Sequence, residues 1–176
     1  MNINAFFHGE SPTRTDYVLT YGVAILGAVA AVLLGGGGWT LIQQVVVFVI
    51  AVDILGGVVA NVTRSTNTWY HQRSRRLGVI FILLHIIQPV VLMLAIDPGN
   101  WWYALGIFAY MVVSVFIVEA LAGQDSQRPA AYGLVMIGIM IFTGVITTIP
   151  LLNWFAPAYL LKLVAGHAVD HYGVKR

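Results

Sequence analysis

Residues 40–76 read TLIQQVVVFVIAVDILGGVVANVTRSTNTWYHQRSRR, and this stretch decides the fold. Its first part holds one ionisable side chain, Asp53, in a run of about twenty apolar residues. At about 1.5 Å per residue such a helix covers ~30 Å, the hydrocarbon thickness of a bilayer. Its second part carries Arg64, Arg73, Arg75 and Arg76. An apolar span ending on arginines is the signature of a transmembrane helix whose end lies in the cytoplasm, where Lys and Arg accumulate.

Working outward, five more segments have a similar character. The spans are expected at about 17–34, 40–62, 77–96, 101–122, 131–149 and 151–172. The breaks between them have local causes. Gly35 to Gly38 is a poor helix former, Asp97-Pro98-Gly99-Asn100 is a turn tetrapeptide, and Pro129 and Pro150 suit helix starts or connections. Six spans place Arg14, the four arginines of 64–76, Arg128, Lys175 and Arg176 on one side, with Lys162 inside the last segment nearer that side. All nine Lys and Arg residues then lie in one half, whereas five or seven spans would scatter them. The expectation is an all-α polytopic bundle, a single integral domain of the cell membrane with both termini cytoplasmic. Trp39, Trp101, Trp102, Tyr103 and Trp154 fall at the outer ends, and Trp69 and Tyr70 near the inner face, as interfacial aromatics do.

Composition agrees. Of 176 residues, 59% are hydrophobic and 9% charged, against ~25% charged in a soluble domain. The mean hydropathy is +0.85. The absence of cysteine excludes disulfides, thiolate metal sites and dithiol redox chemistry. Residues 1–16 lack the basic and apolar regions of a cleaved signal, so the first span is expected to stay. Nothing points to nucleic acid. The partner is membrane lipid, and small residues on the first and fifth spans (Gly22, Ala24, Gly27, Ala28; Gly133, Gly138, Gly144) suit helix packing or a homo-oligomer. No inverted repeat is evident.

Ionisable groups within spans are costly and mark candidate sites. Here they are Asp53, His85, Glu119, Lys162, His167, Asp170 and His171. Asp53 and His85 lie roughly 12–13 Å from the inner face by helical rise. Asp53, Gly57 and Asn61 are four apart and share a face. Pro89 lacks an N–H, so the His85 carbonyl loses its helix partner and must bond elsewhere, for instance to water in a cavity. His167 and His171 are four apart, the spacing by which one helix supplies two metal ligands, and Asp170 would orient His167. With His85, and Asp53 or Asn61 as base or further ligand, the set suits zinc with an acidified water.

A competing arrangement pairs Asp53 with Lys162. Lys162 stands ~140° from His167 around the helix, so aiming it at Asp53 turns His171 away. The ion pair and the metal site therefore compete.

Arg64, Arg73, Arg75 and Arg76 form a basic loop with aromatics, suited to lipid headgroups as well as to topology. His8 is expected at the surface. The Asn61-Val62-Thr63 sequon is discounted at a cytoplasmic end.

The set His85, His167, His171 and Asp53 resembles the intramembrane zinc site of the membrane hydrolases that include alkaline ceramidases and adiponectin-receptor-like proteins. There, one early His and an H-x-x-x-H pair on the last helix hold the metal, with an Asp nearby. The resemblance covers four residues. That family has seven spans and an early motif with a Ser or Glu before the His, which this chain lacks. It implies metal-assisted hydrolysis of a lipid-like substrate. The residues by themselves also allow a small proton-coupled carrier exchanging protons at Asp53 and Lys162, a haem held between histidines, or an accessory subunit without a site.

Overall fold

The computed structural model describes residues 3–146 and 150–174, and every element among them is helical. In chain order these are α1 (Ile3–His8), α2 (Arg14–Leu34), α3 (Leu41–Ala60), α4 (Arg64–His71), α5 (Arg75–Leu84), α6 (Ile87–Ile96), α7 (Trp101–Ala120), α8 (Gln127–Met140) and α9 (Phe155–Leu160). The α8 helix runs on as a π-helical turn over Ile141–Val145, and α9 as a longer π-helical stretch over Leu161–His167. Residues 147–149, with which the fifth expected span ends, lie outside the described residues, as do Lys175 and Arg176.

Five helices are long and apolar enough to cross a membrane: Arg14–Leu34, Leu41–Ala60, Arg75–Ile96, Trp101–Ala120 and Gln127–Val145. Their outward side chains are apolar. Leu26, Leu33, Leu41, Ile42 and Met140 are each more than two-thirds exposed, as a lipid-facing surface requires. Local chemistry sets the helix starts. Thr13 and Asp16 form a reciprocal capping box at α2, and Thr40 and Gln43 do the same at α3. The turn before α7 closes with the Asn100 amide donating to Asp97 O at 2.9 Å.

The last segment differs from the expected full span. Its helix covers Phe155–His167 only, at most ~20 Å by helical rise, and it is the core of the bundle rather than a lipid-facing wall. Phe155, Ala156, Tyr159, Leu160, Leu163 and Val164 are fully buried. A helix enclosed by α3, α7 and α8 need not reach either interface, because protein rather than lipid satisfies its ends. Around it, α7 contributes Ile107, Met111, Val115 and Val118, and α8 contributes Ala131 and Val135. Small residues on α2 are buried at Ala24, Ala28 and Ala31, where α3 packs closely, while nothing approaches Gly22.

Three readings of the sequence are corrected. Residues 64–71 are not a loop: they form α4, which buries Thr66, Asn67, Trp69, Tyr70 and His71 on one side. Trp69 and Tyr70 therefore do not turn their rings to lipid but are buried against Phe6 of α1. His8 is not a surface residue. It is buried, and its Nε2 meets the Tyr21 hydroxyl at 2.8 Å. Gly9, at φ +73°, turns the chain between α1 and α2, and its Cα presses against Ser65, where no side chain would fit.

Candidate functional site

The second expected span brings Asp53 to the site, the third His85 and Gln88, and α9 with its π-helical continuation Tyr159 and Lys162. Asp53 of α3 accepts from Lys162 Nζ at 2.9 Å through Oδ1 and from Gln88 Nε2 at 2.9 Å through Oδ2. Lys162 also donates to the Asp53 backbone carbonyl at 3.2 Å. The ammonium reaches this place because its stem runs over Gly57, one turn after Asp53. A Cβ there would lie 2.7 Å from Lys162 Cδ. The backbone of the same turn is held too, with Asn61 Nδ2 donating to Lys162 O at 3.0 Å.

His85 ends α5. Its Nδ1 donates to Phe81 O at 2.6 Å, and because a carbonyl only accepts, the proton of the neutral ring resides on Nδ1 and the Nε2 lone pair is left bare. The His85 carbonyl, deprived of a helix partner by Pro89, accepts from the Tyr159 hydroxyl at 2.7 Å. The partner that this carbonyl was expected to find outside its own helix is thus a protein hydroxyl.

These groups face a cavity of about 640 Å³. Asp53, Gly57, His85, Gln88 and Lys162 form its polar floor, and Ala24, Val49, Val52, Leu84 and Ile87 its apolar walls. Phe6, Phe7 and His8 of α1 stand at one end. The rim residues Val49, Leu84 and Ile87 are each more than half exposed and sit midway along helices of membrane-spanning length. The cavity therefore opens sideways, toward the layer that the apolar belt occupies. Within the ion pair the two partners differ: the Lys162 side chain is 4% exposed and the Asp53 side chain 40%. The carboxylate is what the cavity sees. At its edge, burial and then the Asp53 charge push the Tyr70 hydroxyl well above the usual phenol range.

The other expected site residues go elsewhere. His167 is buried with its ring stacked on Phe81 (centroids 4.3 Å) and edge-on to Tyr70. His171 donates from Nε2 to Ala165 O at 2.9 Å. Asp170 is buried and accepts from the Tyr172 amide through Oδ1 at 3.2 Å. Glu119 lies at the end of α7, outside the cavity lining. Among the described residues no three His, Asp or Glu side chains gather as metal ligands would. The Lys162 ammonium holds the position beside Asp53 that a cation would take, so the residues as arranged do not fit the zinc set. Of the arginines, Arg73 pairs with Glu10 and lies over the Trp69 ring, Arg64 lies over Tyr172, and Arg75 and Arg76 are exposed.

Sequence reasoning missed Tyr159 and Asn67. Tyr159 stands three residues before Lys162, on the same helical face, which is the signal that would have found it. Asn67 donates to the carbonyls of Asn61, Gly166 and Val169, and its Oδ1 accepts from the His171 amide at 3.0 Å. With His71 Nε2 on Val169 O and Gln127 Nε2 on Ala168 O, it satisfies the carbonyls where the last helix stops.

No family model, curated protein or solved structure matches the chain.

Proposed function

We propose that the chain is a multi-pass protein of the cell membrane, with five full spans and a shorter, buried sixth crossing that keeps both termini cytoplasmic, and that it takes a lipid-like molecule from the bilayer into the cavity beside α3, as a small carrier does. One observation carries this reading. The Asp53–Lys162 pair is open on one side, with the carboxylate 40% exposed in a cavity walled by apolar side chains. A pair serving only to make two charges tolerable in hydrocarbon is best sealed, since each exposed face forfeits some of the attraction that offsets desolvation. An apolar chamber of several hundred Å³ with a few converging polar groups is the form that small-molecule sites take. Support for the orientation comes from Arg14, Arg64, Arg73, Arg75, Arg76 and Arg128, all in the connections assigned to the cytoplasm or in the first turn of the helices that leave them.

The test is native mass spectrometry of the protein released from nanodiscs, with a second form carrying Val52→Trp to fill the chamber. An amphiphile retained at one per chain by the wild type and absent from Val52→Trp is the expected result. Equal retention by both forms would refute the reading.

A further inference from the structure

The donors and acceptors at the cavity floor are not equally accessible: the Lys162 side chain is 4% exposed and the Asp53 side chain 40%. Every polar nitrogen at the floor directs at least one N–H at a protein acceptor: Lys162 Nζ at Asp53, Gln88 Nε2 at Asp53 Oδ2, Asn61 Nδ2 at Lys162 O, and His85 Nδ1 at Phe81 O. The spare N–H groups of Lys162 and Asn61 belong to buried side chains, whereas the Asp53 side chain is open to the cavity. The Tyr70 hydroxyl is likewise spent on Phe6 O. Acceptor capacity is left over. Each carboxylate oxygen of Asp53 has one side-chain donor, yet an ionised carboxylate has about four lone-pair positions, and the Nε2 of neutral His85 is a bare lone pair.

The charge is balanced. Asp53 and Lys162 cancel, so a charged head entering at this depth would carry an uncompensated charge into hydrocarbon. A carboxylate or phosphate head would also face the open side of Asp53 and be repelled by its like charge. A quaternary ammonium would lack an N–H for those lone pairs and would be repelled by Lys162. A neutral head with an O–H or N–H meets neither obstacle.

We propose that the cavity selects uncharged amphiphiles whose head donates a hydrogen bond, such as long-chain alcohols and acylglycerols, with the Asp53 carboxylate as the acceptor. Lys162 and Gln88 are then positioning residues that hold the carboxylate ionised and aimed. This assignment rests on the cavity being a binding site, and the test separates the two ideas.

Four probes share one tail: decanol, decyl methyl ether, decanoate and decyltrimethylammonium. Their binding to the protein in nanodiscs of zwitterionic lipid is measured against nanodiscs carrying Val52→Trp, so that partition into lipid cancels. Decanol is expected to bind about tenfold or more tightly than the ether, the worth of one charge-assisted hydrogen bond, and more tightly than either ion. In Asp53→Asn with Lys162→Met, which removes both charges together and leaves neither unpaired, the preference for decanol over the ether should fall to about threefold or less. Should decanol and ether bind alike in the wild type, or either ion bind best, the head assignment is overturned while the cavity remains a site. If none of the four distinguishes wild type from Val52→Trp, the binding-site reading fails first and takes the assignment with it.

Discussion

The hydroxyl of Tyr159 donates to the His85 carbonyl across 2.7 Å, in the gap that Pro89 opens in the helix. The break at His85 divides a membrane-length segment into α5 and α6, and it is at this break that His85 joins the cavity. Tyr159→Phe would leave a buried carbonyl without a donor, at a cost of about 1–3 kcal/mol. A lower melting temperature is expected. Pro89→Ala in the same background restores an N–H to the helix and should recover part of the loss. If the double variant is no more stable than Tyr159→Phe alone, the orphaned carbonyl is not the cause.

A second prediction concerns Gly57. The Lys162 stem lies against its Cα, so Gly57→Ala places a methyl where that stem runs. Either the ammonium leaves Asp53 or the two helices separate, and overpacking of this kind costs about 1–3 kcal/mol. Gly22→Ala is the control, because nothing lies within 4 Å of a Cβ there. On helix propensity alone both changes would stabilise by about 0.5–1 kcal/mol. Opposite shifts in melting temperature are expected, and parallel shifts would contradict the close approach.

The layout of long apolar helices was legible because it follows from the cost of placing charge and unpaired backbone in hydrocarbon, which acts on every residue of a span. The interruption at His85 was legible through Pro89, and the choice between an ion pair and a metal site could be reduced to which way Lys162 points. That direction was not legible. It depends on how α9 rotates between α3 and α8, and on the π-helical stretch from Leu161 to His167, which shifts the angular positions that a regular 3.6-residue helix would assign. The roles of Asn67 and His8 were equally hidden. Each pairs with residues distant in sequence, Asn67 with Gly166 and Val169 and His8 with Tyr21, and neither lies in a periodic segment that would show which side faces inward.

The orientation can be checked directly, because the chain has no cysteine to remove first. Single cysteines at Ser11, Gly99 and Val174 report the N-terminal tail, the turn before α7 and the C-terminal end. In intact cells a membrane-impermeant maleimide should label Gly99→Cys alone, and permeabilised cells should label all three. Labelling of Val174→Cys from outside would mean that the last segment does not cross the membrane and would undo the six-span assignment.

The fourth prediction follows from the burial of His8. Its ring lies between α1 and α2, 4.8 Å from the Tyr17 ring and 5.3 Å from that of Tyr21 by centroids, and desolvation holds it below its ordinary pKa of 6.5. When α1 is detached, His8 returns to water and takes up a proton at the ordinary value. The detached state therefore binds more protons, so docking of α1 is complete above about pH 6.5 and weakens as the pH falls below it. Because Phe6 and Phe7 line the cavity, loosening α1 also unroofs it. Hydrogen exchange at the amides of residues 3–8, corrected for intrinsic rates, should be faster at pH 5.5 than at pH 7.5 in the wild type. His8→Phe keeps the ring contacts and removes the titration, so its corrected exchange should not change between those conditions. An equal acid response in both proteins would assign the effect to some other group and leave α1 docking independent of His8.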